Sequence, residues 1–292
     1  MSDLQLGSEE RPLRVAVIGS GPLGFYAIGA LFKSDLNVEV DLFDRLPTPY
    51  GLVRGGVAPD HQKIKSVIKA YDRIATKEGF RFIGNVSIGS QVTVEELKEH
   101  YDQIVLATGN ESDRKMGIPG EELNGVYSAT EFVGWYNGHP DFTDRIFALA
   151  ESKRVAVVGN GNVAMDVARV LAREPDDLAG TDIADHALDS LRRSTVQDIL
   201  LLGRRGPAQA AFSPSEMKEL GALETTDVII SPETMQLGEV TEHWLENSAD
   251  RDAQKNIEIL NEYMSAGETG AKKQVHCHFL VSPVEFVGDN GR

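Results

Sequence analysis

The chain has 292 residues, 41% hydrophobic and 25% charged, the composition of a globular protein long enough to bury a sizeable core. A formal net charge of −16 argues against non-specific binding to nucleic acid or anionic lipid, because the long-range field repels polyanions. One cysteine, Cys277, makes no internal disulfide and no Cys-x-x-Cys pair, and no run of about 18 apolar residues offers a membrane span.

Met1 to Pro12 is polar and acidic and lacks the basic start and apolar core of a signal peptide. It is expected to be a disordered leader, and with the lone thiol it points to a cytoplasmic protein. Leu13 to Ile18 predicts a buried strand ending at Gly19, Pro22 to Lys33 a helix and Val38 to Phe43 a second strand. Arg45 to Pro59 is rich in Pro and Gly and too long for a simple turn. His61 to Lys77 predicts a helix. Thr93-Val-Glu-Glu96 is a capping box opening another, and Gln103 to Ala107 is a strand running into Thr108-Gly109. The irregular stretch 110–152 reads as an interdomain connection. A second βαβ opening follows: strand Val155 to Val158, then helix Gly161 to Arg173, stopped near Pro175. Ile183 to Arg193 predicts a helix capped by Thr181 or Asp182, and Ile199 to Leu202 a strand ending in Gly203-Arg204-Arg205-Gly206. Ser213-Pro-Ser-Glu216 is a capping box, with Gly221 as the stop. Leu245 to Tyr263 reads as an acidic, solvated helix and Val275 to Val287 as one or two strands. The expected fold is α/β: two Rossmann-like dinucleotide-binding domains with parallel sheets, 13–109 and 153–292.

Gly19-Ser-Gly-Pro-Leu-Gly24 fits G-x-G-x-x-G between a strand and a helix. Gly19 permits the tight turn, Gly21 lets backbone N–H groups approach a pyrophosphate, and Gly24 lets helix pack on strand. Asp44 ends the next strand, where a carboxylate accepts from ribose hydroxyls and repels a 2′-phosphate, so this site should prefer FAD or NAD over NADP. Gly159-Asn-Gly-Asn-Val-Ala164 fits the G-x-G-x-x-A variant. The strand behind it ends in Arg204 and Arg205, whose guanidiniums can bind a 2′-phosphate. The bland alternatives are a glycine turn without ligand and a solvated arginine pair. Because one nucleotide cannot satisfy both sites, the economical reading is FAD at the first, NADP(H) at the second and hydride transfer between them.

Together with Pro49-Tyr-Gly-Leu-Val-Arg-Gly-Gly-Val-Ala-Pro-Asp-His61 and Phe132-Val-Gly-Trp-Tyr-Asn-Gly138, these motifs resemble the adrenodoxin-reductase-type ferredoxin–NADP⁺ reductases, bacterial ones especially. The resemblance runs from about Arg14 to Gly288. It implies an FAD domain with Leu23, Asp44, Leu52 and Ile88 at the flavin nucleotide, and Gly109 at the end of its strand. It implies NADP at Asn160, Gly161, Asn162, Val163, Arg204, Arg205 and Glu216, with Glu216 reaching the nicotinamide carboxamide. It places His61 near the flavin, able to meet Glu219, and gives a ferredoxin-like iron–sulfur protein as electron acceptor. Family chains continue into a Trp-Gly element and a Gly-rich turn that close over the flavin. These 292 residues alone are therefore expected to hold FAD weakly and NADP better. Open alternatives are another two-nucleotide flavoprotein (a glutamate-synthase-type subunit or a flavin monooxygenase) and a non-catalytic NADP-binding fragment. His276 and His278 share a strand face without a third ligand, so no metal site is expected. Trp135 reads as interdomain packing.

Overall fold

The computed structural model describes residues 5–110 and 112–289, and the chain forms two compact units, one of residues 1–57 and 61–112 and the other of residues 58–60 and 113–292. In the first, β1 (Leu13–Ile18), β2 (Val38–Phe43), β3 (Phe80–Ile83) and β4 (Gln103–Leu106) make an all-parallel sheet in the order β3-β2-β1-β4. Its helices are α1 (Pro22–Leu31), α2 (Leu52–Gly55), α3 (Gln62–Lys65), α4 (Ile68–Ala75) and α5 (Val94–His100). Strand alternation explains both faces. Leu13, Val15, Val17, Val38, Val40 and Leu42 are buried with Phe25 and Ile28 of α1 and Tyr71 of α4, while Ala16, Ile18 and Phe43 pack with Leu97 of α5. The Thr93 capping box forms with both reciprocal hydrogen bonds.

Two expectations for this unit are corrected, and one strand was not foreseen. Residues 5–12 are not a disordered leader: Gly7 donates to Arg11 O at 2.8 Å and accepts from Asn37 N at 2.7 Å, which pins the segment beside β2 (Met1 to Leu4 lie outside the described residues). The helix expected over 61–77 is two, α3 and α4, because the Ser66 hydroxyl donates to the Lys63 carbonyl at 2.6 Å and competes with the helix backbone. Strand β3 went unread, being four residues directly after Gly79 at φ +80°.

In the second unit, β5 (Arg154–Val158), β6 (Asp198–Leu202), β7 (Thr226–Ile230) and β8 (Lys273–His278) form a second parallel sheet in the order β5-β6-β8-β7. The helices are α6 (Ala129–Tyr136), α7 (Asn162–Ala172), α8 (Pro175–Leu178), α9 (Asp185–Arg192), α10 (Pro214–Gly221), α11 (Glu239–Asn247) and α12 (Arg251–Ala266). Ile199, Leu201, Val228, Ile230, Val275 and Cys277 bury one sheet face against Met165 and Ala168 of α7, Met217 and Leu220 of α10, and Ile259 and Leu260 of α12. Lys273, buried at the start of β8, donates to the carbonyls of Leu171 (2.8 Å) and Arg173 (3.3 Å), a cation at the C-terminus of α7.

Here too the structure departs from expectation. Residues 113–152 belong to this unit and contain α6, opened by a second capping box, Ser128-Ala-Thr-Glu131. Trp135 is buried inside the unit's own core against Phe132 and Phe147 rather than at interdomain packing. The helix from the second glycine turn does stop before Pro175, at Ala172, and Pro175 instead opens a short further helix, α8. Thr181 is not the N-cap of α9, which starts at Asp185 after Ala184; the Thr181 hydroxyl donates to Leu178 O and accepts the Ile183 N–H. Gly221 is no left-handed stop but the last residue of α10, glycine because a Cβ would lie 2.2 Å from the Tyr263 ring of α12. The acidic helix is two, α11 and α12, with Asp250 capping the second. The C-terminal strands reduce to β8, with no regular structure over 281–289.

Candidate functional site

In the first unit β1 ends at Gly19, which has φ +104° and whose Cβ would lie 2.3 Å from Ala107 O. A Cβ on Gly24 would lie 2.2 Å from Gly19 O, so α1 approaches the turn as closely as backbone allows. Gly21 differs, since a Cβ there would meet nothing within 4 Å. Gly21 is the N-cap of α1 and Pro22 its first residue, so the open side of the turn lies at the helix's unsatisfied N–H groups. β2 and β4 flank β1 on opposite sides, which puts the turn at the sheet's switch point, where open α/β sheets bind ligands.

Two residues of the Pro49–His61 stretch, Tyr50 and Gly51, lie on this turn. Tyr50 N donates to Ser20 O at 3.0 Å, and a Cβ on Gly51 would come within 2.8 Å of the Gly21 Cα. Tyr50 has φ +92°, a strained value for a bulky residue; its ring sits against Phe25 and Arg54 and its hydroxyl donates to Asp72. Asp44 is anchored before any ligand arrives. Its Oδ2 accepts the Ser20 N–H at 2.8 Å and the Ser20 hydroxyl at 2.5 Å, and its Oδ1 accepts the Leu46 N–H at 2.9 Å. Lone pairs remain on both oxygens for further donors. Leu23 and Leu52 are exposed at 63% and 65%, an apolar surface beside the turn. Ile88 is half-buried and bridged to Val92, and Gly109, at φ +71°, is exposed beyond β4. His61 is buried at the start of α3.

The second turn is a variation on the first. Gly159 ends β5 at φ +144°, but its built Cβ stands 3.4 Å from the Ala164 Cβ, ordinary contact. Ala164 carries its Cβ at the position where a Cβ on Gly24 would meet backbone at 2.2 Å. A Cβ on Gly161 would again meet nothing within 4 Å. The Asn160 Nδ2 is buried without a hydrogen-bond partner among the described residues. Beside the turn lies a cavity of about 640 Å³ whose lining includes Gly159, Asn160, Arg204 and Arg205, joined by Arg114 and Lys115. Both 204 and 205 side chains are exposed and have no ion-pair partner among the described residues. Arg114 and Lys115 escaped the reading of the sequence, although an adjacent basic pair just before the Gly117 turn was a signal to weigh.

Residues 211–216 are stitched to the turn. Ala211 N donates to Asn160 O at 2.9 Å, and Ser213 N donates to the Asn162 Oδ1 at 2.9 Å. Only half of the Ser213 capping box forms. Ser213 Oγ accepts the Glu216 N–H, but the Glu216 carboxylate turns away and accepts from Arg169 Nη1 at 2.8 Å. The Arg169 side chain, fully buried, also donates to Asp60 at 2.8 and 3.0 Å and to Asp166 at 2.6 Å. Burial alone would lower its pKa; the hydrogen bonds and charges of Asp60 and Asp166 reverse that and raise it. Glu219 is exposed on α10, one turn beyond Glu216. On β8, His276 Nε2 stands 3.6 Å from Asp198 Oδ1, with the His278 ring stacked beside it.

Among the described residues no helix is long and apolar enough to cross a membrane. Residues 13–190 match the family described as pyridine nucleotide-disulphide oxidoreductase. The chain is 45% identical over 285 residues to the NADPH-ferredoxin reductase FprA of Mycobacterium tuberculosis, covering 95% of this chain and 61% of that one. It is 42% identical to the mitochondrial NADPH:adrenodoxin oxidoreductase of Arabidopsis thaliana, covering 98% of this chain and 59% of the relative. Among solved structures it is similar to Mycobacterium tuberculosis FprA in complex with NADPH, with a TM-score of 0.91 and 44% identity over 96% of this chain and 62% of that one. The chain thus spans about 60% of the length of these curated relatives.

Proposed function

Because this chain belongs to the pyridine nucleotide-disulphide oxidoreductase family, we propose that it forms the two-nucleotide part of a flavoprotein that takes a hydride from NADPH onto FAD and passes single electrons to a ferredoxin-like iron–sulfur protein. The observation that carries this reading is the opposed charge behind the two turns: an anchored carboxylate, Asp44, behind the first, and four cations around the cavity at the second. The relatives named for NADPH, ferredoxin and adrenodoxin support it.

In this reading FAD supplies a group that accepts two electrons together and releases them singly. The first turn and the N-terminus of α1 bind its pyrophosphate at Gly19, Gly21 and Gly24, and Asp44 takes the ribose. Leu23, Leu52, Ile88 and Gly109 border the nucleotide and exclude water. Asn160, Gly161, Asn162 and Val163 take the NADP pyrophosphate, and the buried Nδ2 of Asn160 gains the acceptor it lacks. Arg204 and Arg205, with Arg114 and Lys115, hold the 2′-phosphate by charge-assisted hydrogen bonds. Glu216 orients the nicotinamide carboxamide. The working location is the cytoplasm.

The test is cofactor discrimination. Replacing Arg204 and Arg205 by Ala together is expected to cost about 10² to 10⁴ in preference for NADPH over NADH, with NADH affinity kept. Equal discrimination before and after, in paired titrations, would overturn the assignment.

A further inference from the structure

Arg169 lies on α7, the helix that opens at the second glycine turn, and it is fully buried. Its guanidinium donates to three carboxylates, Asp60, Asp166 and Glu216. The Glu216 bond is the telling one. A glutamate at the third position of a helix that opens with Ser normally reaches back to its own N-cap. Here Ser213 keeps its half of that exchange, and the Glu216 carboxylate gives up the other half to Arg169. The Ser213 N–H bond to Asn162 ties the same helix start to the first residue of α7. The start of α10 is therefore fixed to α7 at two points seven residues apart on α7, Asn162 and Arg169, and its acidic side chain has one defined position relative to the glycine turn.

We propose that Arg169 is a positioning residue for the nicotinamide half of the dinucleotide, holding the Glu216 carboxylate at a fixed distance from the pyrophosphate turn. This rests on the reading of the second unit as the NADP(H) site. A guanidinium suits the task better than an ammonium, because its planar fork serves all three carboxylates in fixed directions. The adenosine half of the ligand, gripped by the cations at the cavity, should not sense the change.

The experiment compares two ligands on the full chain by calorimetry: NADP⁺, and adenosine 2′,5′-bisphosphate, which carries the 2′-phosphate but no nicotinamide. The variants are Arg169→Lys, which keeps the cation and loses the fork, Glu216→Ala, and the two combined. Each single variant is expected to weaken NADP⁺ by about tenfold or more, the loss of a charge-assisted contact, and to leave the bisphosphate within about twofold. The double variant is expected to be no weaker for NADP⁺ than the worse single one, since Arg169 acts through Glu216. Should Arg169→Lys not fold, Glu216→Asp draws the carboxylate back from the guanidinium and is expected to give the same NADP⁺-selective loss. Losses that add, or that fall equally on both ligands, would make the network structural only and overturn the proposal. Failure of the unaltered chain to bind the bisphosphate would instead sink the NADP(H) reading, and the positioning role with it.

Discussion

The Asp44 carboxylate accepts two hydrogen bonds from Ser20 and one from Leu46. Its rotamer is thus set by the glycine turn itself, so the ribose-binding atom and the pyrophosphate-binding turn move as one. Ser20→Ala removes the hydroxyl bond and leaves the N–H bond. FAD retention should then fall by about tenfold with NADP⁺ affinity unchanged, read as flavin absorbance per chain after desalting. Unchanged occupancy would mean that the backbone bonds suffice. Asp44 was legible from its position at a strand end, whereas Ser20 was not, because the fingerprint leaves that position as any residue. Cys277 makes a separate test. Burial pushes its thiol up to about 12. A raised folded value means stability that is full below the unfolded pKa near about 8.5 and is lost as pH rises through about 12. A disulfide-exchange reagent at pH 8 should therefore leave the folded chain unlabelled and label it fully in denaturant. Rapid labelling of the folded chain would show that the β8 face is accessible.

Gly21 and Gly24 are the same residue type in one motif and do different work. Gly24→Ala drives a Cβ into Gly19 O at 2.2 Å and should cost at least about 1–3 kcal/mol by pushing α1 off β1. Gly21→Ala meets nothing within 4 Å and should leave the thermal midpoint where it is while FAD binding falls. Parallel losses of stability and flavin at both positions would refute the division. At this scale the sequence was most legible where a motif joins two elements by hydrogen bonds local in the chain, as at Thr93 and in both glycine turns. It was least legible where distant partners decide. Gly221 read as a stop because nothing local reveals Tyr263 of α12 lying across it. Likewise the Glu216 side chain was expected to close the Ser213 capping box because Arg169, which takes its carboxylate, is 47 residues away.

At the scale of the whole molecule, a charge of −16 surrounds a cavity lined in part by Arg114, Lys115, Arg204 and Arg205. The long-range field repels polyanions while the local cations receive a small dianion. The chain should therefore neither shift duplex DNA nor sediment with anionic vesicles at physiological ionic strength; retention by either would mean that the basic patch outweighs the field. The pair of parallel sheets was legible because the βαβ opening recurs with its glycine turn. The strand order was not, since a run such as Val275 to Cys277 carries no mark of its neighbours. That order also bears on how the protein is made. β8 is the last of its four strands in the sequence and stands third in the sheet, between β6 and β7. While the chain emerges from the ribosome, β6 and β7 each wait with an open edge, and nothing joins them until residues 273–278 arrive. The second sheet therefore closes in one late event, and a pause in translation before that point would leave a half-built sheet exposed to chaperones or to aggregation.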